Sequence, residues 1–418
     1  MSKAGRILFA LVAGLVLGIV AARVAPGLAA GAATVAEPIG ALWLNALQMT
    51  IVPLVVALLV TGIAASAEAA KAGRLAVKAL VLFVILLWSS ALVAAVMTPL
   101  LLDLFPLPAA AATALRQALT TTAPVGQVPG FGDFVRGIVP TNPVTAAASD
   151  AILPLIVFTL VFAFAVIRLG PTQRRLIVDF FKAIENAMLI VINWVLWIGP
   201  VGVLALAYVV GVRAGSAAFG ALLHYVLIVT ATGTIVWLAA WPLALFGARI
   251  PLGRFTRALL PSQAVALSTQ SSLATLPAML KATDRLGIPV APAGIVLPMA
   301  VAIFRATGPV MNLAVAIYVA YWFGVDLTPT RLAAGVAAAA VTTMGAVGIP
   351  GQASFITSIA PICIAMGVPI EPLGLLIAVE TLPDLMRTLG NVSMDVAVTA
   401  TVTRNSDLGR APTPEETA

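Results

Sequence analysis

The sequence predicts an all-α polytopic membrane protein: eight transmembrane helices and two re-entrant helical hairpins, with the second half built as inverted repeats. Three observations carry this. The 418 residues are 61% hydrophobic and only 9% charged, with a mean hydropathy of +1.10, more apolar surface than a soluble core can use. The apolar residues fall into successive long runs. Lys and Arg are distributed so that only one arrangement of those runs gives a consistent charge bias across the membrane.

Taken in order, uninterrupted apolar runs lie at about 7–30, 41–66, 75–105, 150–169, 181–212, 217–248, 289–323 and 371–403. Each can span a bilayer of about 20 residues of helix. The first, after Met1-Ser-Lys-Ala-Gly-Arg6, reads as an uncleaved first span. Two further segments, about 255–282 and 333–366, are interrupted by Pro, Gly, Ser and Thr. With the N-terminus inside, 16 of the 23 Lys and Arg residues fall at cytoplasmic ends. Five (Arg23, Arg116, Arg136, Arg213 and Arg331) fall outside, and Arg305 and Arg387 stay within the membrane. That bias survives only if both interrupted segments enter and leave on the same side. Each hairpin is followed by a span with a polar middle, and the two units start from opposite faces, which makes an inverted repeat. Such repeats put the binding site near the midplane, lined by unwound backbone and helix ends.

The net charge of +7 does not indicate nucleic acid, because the basic residues stand singly between apolar runs. A single cysteine, Cys363, excludes an intrachain disulfide and a cysteine metal cluster. The lone His224, near a segment end, reads as structural or solvated. No nucleophile–base pair is apparent, so an enzyme is not expected.

The polar residues inside the membrane are concentrated in few places. In the last span Glu380, Asp384, Arg387, Asn391 and Asp395, with Thr388 beside them, follow one another at intervals of three or four residues and share one helix face. Each charge at membrane depth costs about 2.5–3.5 kcal/mol on the mildest scale, so a set of them points to a substrate or an ion. Arg387 offers a planar fork for a carboxylate. Asp384 can hold that fork or accept from an ammonium group, and Asn391 can do either job. Asp395 is an oxygen ligand for a cation or a partner for an internal arginine. The first hairpin carries Ser268-Thr-Gln-Ser-Ser-Leu-Ala-Thr-Leu-Pro277, whose hydroxyls and freed N–H groups can hold a carboxylate. The second carries Gly345-Ala-Val-Gly-Ile-Pro-Gly351, which can turn sharply and expose carbonyls. In the span at 289–323, Gly308-Pro309 is expected to break the helix, with Arg305 one turn before the break.

In this order, these residues resemble the dicarboxylate/amino acid:cation symporter family, the glutamate transporter homologues, over nearly the whole chain. Met49-Thr-Ile-Val-Pro-Leu54 is similar to its second span and Ile138-Val-Pro-Thr-Asn-Pro143 to the start of its fourth. Gln270 to Pro277 and Gly348-Ile-Pro-Gly351 are similar to its hairpin tips, and Asp384-Leu-Met-Arg-Thr-Leu-Gly-Asn-Val-Ser-Met-Asp395 matches its last-helix signature. The family itself exemplifies inverted repeats, so that architecture is no independent check. The resemblance implies that Asp384 holds a substrate amino group and Arg387 an acidic side chain. Thr388 and Asn391 would bond the amino and carboxylate ends. The α-carboxylate would lie against Ser271 and Ser272, under a gate at Ile349, Pro350 and Gly351. It also implies a homotrimer working as an elevator. Residues 1–74 and 150–214 would be scaffold, 106–149 an extracellular loop and the start of helix 4, 75–105 and 215–404 the transport domain, and 405–418 a polar cytoplasmic tail.

The departures concern ions. Counting back from Ala316-Ile-Tyr318, the family's sodium-binding aspartate becomes Leu313 and a nearby hydroxyl becomes Val315. Hydroxyls of the third span become Phe83-Val-Ile-Leu-Leu87, and the glutamate of proton-coupled relatives becomes Val319. At least one sodium site is therefore expected to be missing. Arg305 is expected to place a built-in positive charge near Asp395, a carboxylate that would otherwise tend to protonate. Glu380 receives no role. The expected function is secondary transport of an amino acid with an acidic side chain (aspartate or glutamate) across the inner membrane, both termini cytoplasmic. Sodium coupling is reduced or lost, proton coupling is open, and no cofactor is needed. The competing readings are a sodium-independent carrier of dicarboxylates or neutral amino acids, and a channel or receptor on the same scaffold.

Overall fold

The computed structural model describes residues 3–70, 73–107, 112–113, 136, 138–149, 151–345 and 352–404. Among them all regular structure is helical. Three helices open the chain: α1 (Lys3–Val24), α2 (Pro26–Gln48) and α3 (Ile51–Ala70). α2 and α3 meet at Met49-Thr50, and together form one apolar stretch from Pro26 to Glu68 that starts well before the expected second span. Thr50 donates to the carbonyl of Leu47 at this junction. α4 (Arg74–Leu104) follows. The short α5 (Pro143–Ala148) begins at Asn142, whose side chain accepts from the N–H groups of Val144 and Thr145, a normal N-cap with Pro next in line. α6 (Ile152–Val166) is only 15 residues long.

The expected fifth span is two helices. α7 (Pro171–Trp197) and α8 (Gly199–Ala214) are bent by 55° at Ile198, where the Gly199-Pro200 pair ends the first ladder. α9 (Ala217–Leu238) runs on through a short turn into a π-helical turn at Leu243–Gly247. Then come α10 (Leu252–Thr269) and α11 (Ser272–Arg285), which pack on each other as a helical hairpin, and the broken pair α12 (Val290–Ile303) and α13 (Thr307–Phe323). α14 (Pro329–Gly345) and α15 (Gln352–Ala365) also pack together, and α16 (Leu373–Leu376) leads into α17 (Thr381–Thr403).

Among the described residues five helical stretches are long and apolar enough to cross a bilayer, and a sixth if α7 and α8 form one bent span. The molecule is thus a multi-pass membrane protein. α17 is the organising element. It packs against α4, both helices of the α10–α11 hairpin, α9, α12 and α13, so most of its polar face is buried. A separate block is made by α1, α2 and α8. There the helices touch backbone to backbone: a Cβ added at Gly18 would lie 2.3 Å from the carbonyl oxygen of Tyr208. Small residues permit such contact where lipid offers no hydrophobic drive for association.

Candidate substrate and ion site

The break between α12 and α13 lies at Phe304-Arg305-Ala306, not at Gly308-Pro309 as the sequence suggests. Proline is accepted in the first turn of a helix, where its missing N–H has no partner to lose. Pro309 is the third residue of α13, so it marks the start of the second half-helix and pushes the break upstream. Arg305 stands in the break itself. Three side chains from other helices hold the broken backbone. Ser90 of α4 donates to the carbonyl of Ala306 at 2.6 Å. Phe83, two turns earlier on α4, stacks on Phe304 with centroids 4.7 Å apart. Asn391 of α17 accepts the N–H of Thr307 at 3.0 Å and so caps α13 from a neighbouring helix. The hydroxyl of Thr307 lies 2.7 Å from the same Asn391 oxygen and 2.8 Å from the carbonyl of Arg387, and its single proton serves one of them at a time. This contact needs Gly390, since a Cβ there would fall 2.2 Å from Thr307 Cγ2.

Arg387 is buried, and each of its three nitrogens has an acceptor. Nη2 pairs with Glu380 Oε1, Nε lies 3.3 Å from Asp384 Oδ1, and Nη1 donates to Asn312 Oδ1. Glu380 is also buried, and its other oxygen accepts from the hydroxyl of Tyr225 on α9 at 3.2 Å. A guanidinium has five N–H groups, so two remain for a ligand. Thr388 donates to the Asp384 carbonyl. Arg305 is within electrostatic reach of Asp384, Arg387 and Asp395.

Asp395 differs from all of these. It is fully buried, and among the described residues neither carboxylate oxygen has a hydrogen-bond partner. An orphaned carboxylate in such a place calls for a proton or a cation. Two residues before it, Ser393 accepts from Trp237 and Gln263 and donates to the Leu389 carbonyl, so the opposite side of α17 is fixed to α9 and α10.

The structure thus brings Asp384, Arg387, Thr388, Asn391 and Asp395 onto one face of α17 and sets Arg305 against it. Ser271 and Ser272 lie at the tip of the α10–α11 hairpin, which packs on the same helix. Gln270 there is left-handed (φ 51°), and Ser271 Oγ caps α11 by accepting from Ala274. Ile349, Pro350 and Gly351 fall outside the described residues. Leu313 is two turns into unbroken α13, fully buried and facing Gly335 of α14, and Val315 and Val319 follow it in the same helix. The residues that line the break are Phe304, Arg305 and Ala306, and Leu313 lies in the helix that follows it. His224 is structural: its Nε2 donates to the Phe105 carbonyl, and Nδ1 contacts the hydroxyl of Tyr318. Sequence reasoning gave no role to Glu380 or to Asn312. Glu380 is seven residues before Arg387, two turns away on one face, and that spacing was readable. Tyr225, Thr307 and Ser90 reach the site through tertiary packing, which no local spacing reports.

Residues 4–405 match the profile of the Sodium:dicarboxylate symporter family. The chain is 28% identical over 400 residues to the proton/glutamate-aspartate symporter of Escherichia coli (strain K12), covering 94% of this chain and 90% of that protein. It is 32% identical over 393 residues to the neutral amino acid transporter B(0) of Oryctolagus cuniculus, covering 85% and 71%. To the proton/sodium-glutamate symport protein of Geobacillus stearothermophilus it is 28% identical over 369 residues, covering 86% and 85%.

Proposed function

The chain belongs to the sodium:dicarboxylate symporter family, and from that premise we propose that it is a secondary transporter of an amino acid with an acidic side chain. The observation that carries this is the Arg387 cluster. A buried guanidinium with two donors to spare stands beside Asp384, an acceptor for an ammonium group. In this reading Glu380 is an internal placeholder: it occupies Nη2 of Arg387 when no substrate is bound and yields to the substrate's side-chain carboxylate. The hydroxyls and helix N-terminus at Ser271 and Ser272 receive the α-carboxylate, and Ile349, Pro350 and Gly351 close over it. The E. coli relative, a proton/glutamate-aspartate symporter, agrees in chemistry.

Glu380 also favours a second reading. Arg387, Glu380 and Asp384 carry one positive and two negative charges, and Arg305 lies nearby. A cluster already neutralised in this way suits a zwitterion with a neutral side chain, as the rabbit relative's name describes. For coupling, the proposal is that sodium dependence is reduced or lost. It rests on Arg305, a fixed cation within reach of Asp395, and on the apolar Phe83 and Phe304 lining the break. Transport by an elevator movement of residues 75–105 and 215–404 against a trimeric scaffold completes the proposal, with eight spans and two re-entrant hairpins.

Uptake of radiolabelled aspartate, glutamate, serine and alanine into proteoliposomes decides between these readings, run with a sodium gradient, a proton gradient or neither. Saturable aspartate or glutamate uptake, unchanged when sodium is replaced by choline, is the expected result, and Glu380→Gln should raise apparent aspartate affinity. Serine or alanine uptake without aspartate uptake would select the second reading. Steep sodium dependence would remove the coupling proposal, and ohmic current without saturation would remove both carriers.

A further inference from the structure

Away from the substrate site, two cavities meet at the ends of α3 and α6. The first, of about 720 Å³, is lined by the end of α3, the α6–α7 connection and the first turns of α7. Arg168, Arg174, Arg175 and Lys182 line it, together with Glu68 and Asp179. Lys182 is held by Glu185, a buried carboxylate that also accepts from Thr61 at 2.9 Å. The remaining three arginines still outnumber the two lining acids, and among the described residues none of the three is within ion-pairing distance of a carboxylate. The same cavity receives the N-terminus of α7, a 27-residue helix with no side-chain cap and no acidic residue in its first turn. Free N–H groups and the helix dipole there add to the attraction for an anion.

The second cavity, of about 710 Å³, shares Ala67 and Ile167 with the first. Its walls come from α3, α4, α6 and α14, among them Leu59, Leu80, Val84, Phe164 and Met344. Its one polar side chain, Ser66, is turned back to the carbonyl of Gly62. Beside it α4 and α6 expose Val81, Val161 and Phe164 to more than half of their surface, as a lipid-facing belt does. The charged cavity begins where that belt stops, after Val166. A basic pocket and an apolar slot in direct continuity, at the level where apolar surface gives way to charge, match one kind of molecule.

We propose that this pair of cavities is a binding site for an anionic phospholipid, with the phosphate headgroup on Arg168, Arg174 and Arg175 and an acyl chain between α3, α6 and α4. Charge complementarity argues for the headgroup, and the shared walls argue for a lipid rather than a free anion, which would have no use for the second cavity. Because α3 and α6 form one wall of the apolar slot and α4 and α14 the other, the bound chain would touch all four helices.

The test uses the full chain in detergent with radiolabelled dioleoyl phosphatidylglycerol or dioleoyl phosphatidylcholine, counting bound lipid per protein. Phosphatidylglycerol is expected to bind at least about tenfold tighter, since near-surface cations contribute about fivefold each. Arg174→Gln with Arg175→Gln should weaken it about 25-fold on the same scale, and Val84→Trp should lower retention of both lipids. Melting temperature without added lipid checks folding, and Arg168→Gln alone, expected to cost about fivefold, serves if the double variant does not fold. Equal binding of the two lipids, unchanged affinity in the arginine variants, or full displacement by millimolar inorganic phosphate would each overturn the proposal.

Discussion

The two ends of the α17 face obey different rules. Near its start Arg387 is enclosed by Glu380, Asp384 and Asn312, with Tyr225 behind them. Eight residues further on, two turns along the same face, Asp395 has neither oxygen bonded among the described residues. One end is a paired network whose members depend on each other; the other is a single acid waiting for a counter-charge from outside or from Arg305. Their difference shows that a row of polar residues on one helix is not one site. Burial makes a paired charge expensive to disturb and an unpaired one expensive to keep.

The largest effect should come from setting the two ends against each other. Arg387→Ala leaves buried Glu380 and half-buried Asp384 without their cation and should cost on the order of 3–5 kcal/mol, seen as a marked fall in melting temperature of the detergent-purified protein. Asp395→Asn removes a carboxylate whose oxygens have no hydrogen bond among the described residues, and it should leave the melting temperature unchanged or raise it. If Asp395→Asn destabilised as much as Arg387→Ala, the contrast would be broken. A middle-sized effect tests the joint between the ends. Asn391→Ala removes the cap of α13 and should cost roughly 1–2 kcal/mol, with faster amide exchange at Thr307 and Gly308 than in the parent. Loss of stability with no local change in exchange would show that Asn391 is not acting as the cap. The smallest effect sharpens the complete end: Tyr225→Phe removes one hydrogen bond to Glu380 and should cost about 0.5–1.5 kcal/mol. A cost near that of Arg387→Ala would mean that Glu380 depends on Tyr225 more than on the guanidinium.

Much of this was legible before any coordinates. The intervals between Asp384, Arg387, Asn391 and Asp395 place them on one face, because helix periodicity is local and hydrophobic flanks leave no other element for them. The existence of a break in the span at 289–323 was also legible; its position was not. Gly308-Pro309 looks like an interruption when read alone, yet proline is disruptive only beyond a helix's first turn, and the sequence does not say where that turn begins. The bend at Ile198 had its signal in Gly199-Pro200, within a run that hydropathy alone treats as continuous.

The cap on α13 limits what Asn391 can say to a ligand. The backbone N–H of Thr307 can only donate, so the atom it meets must be the amide oxygen, and the amide's orientation follows from chemistry. An amide oxygen has two lone pairs: one takes the Thr307 N–H, and the other lies 2.7 Å from the Thr307 hydroxyl. Under the proposed transport of a zwitterion, Asn391 would therefore offer its NH2 group to a carboxylate more readily than its oxygen to an ammonium group. The hydrogen bond that begins α13 would then also bias which way round the zwitterion lies.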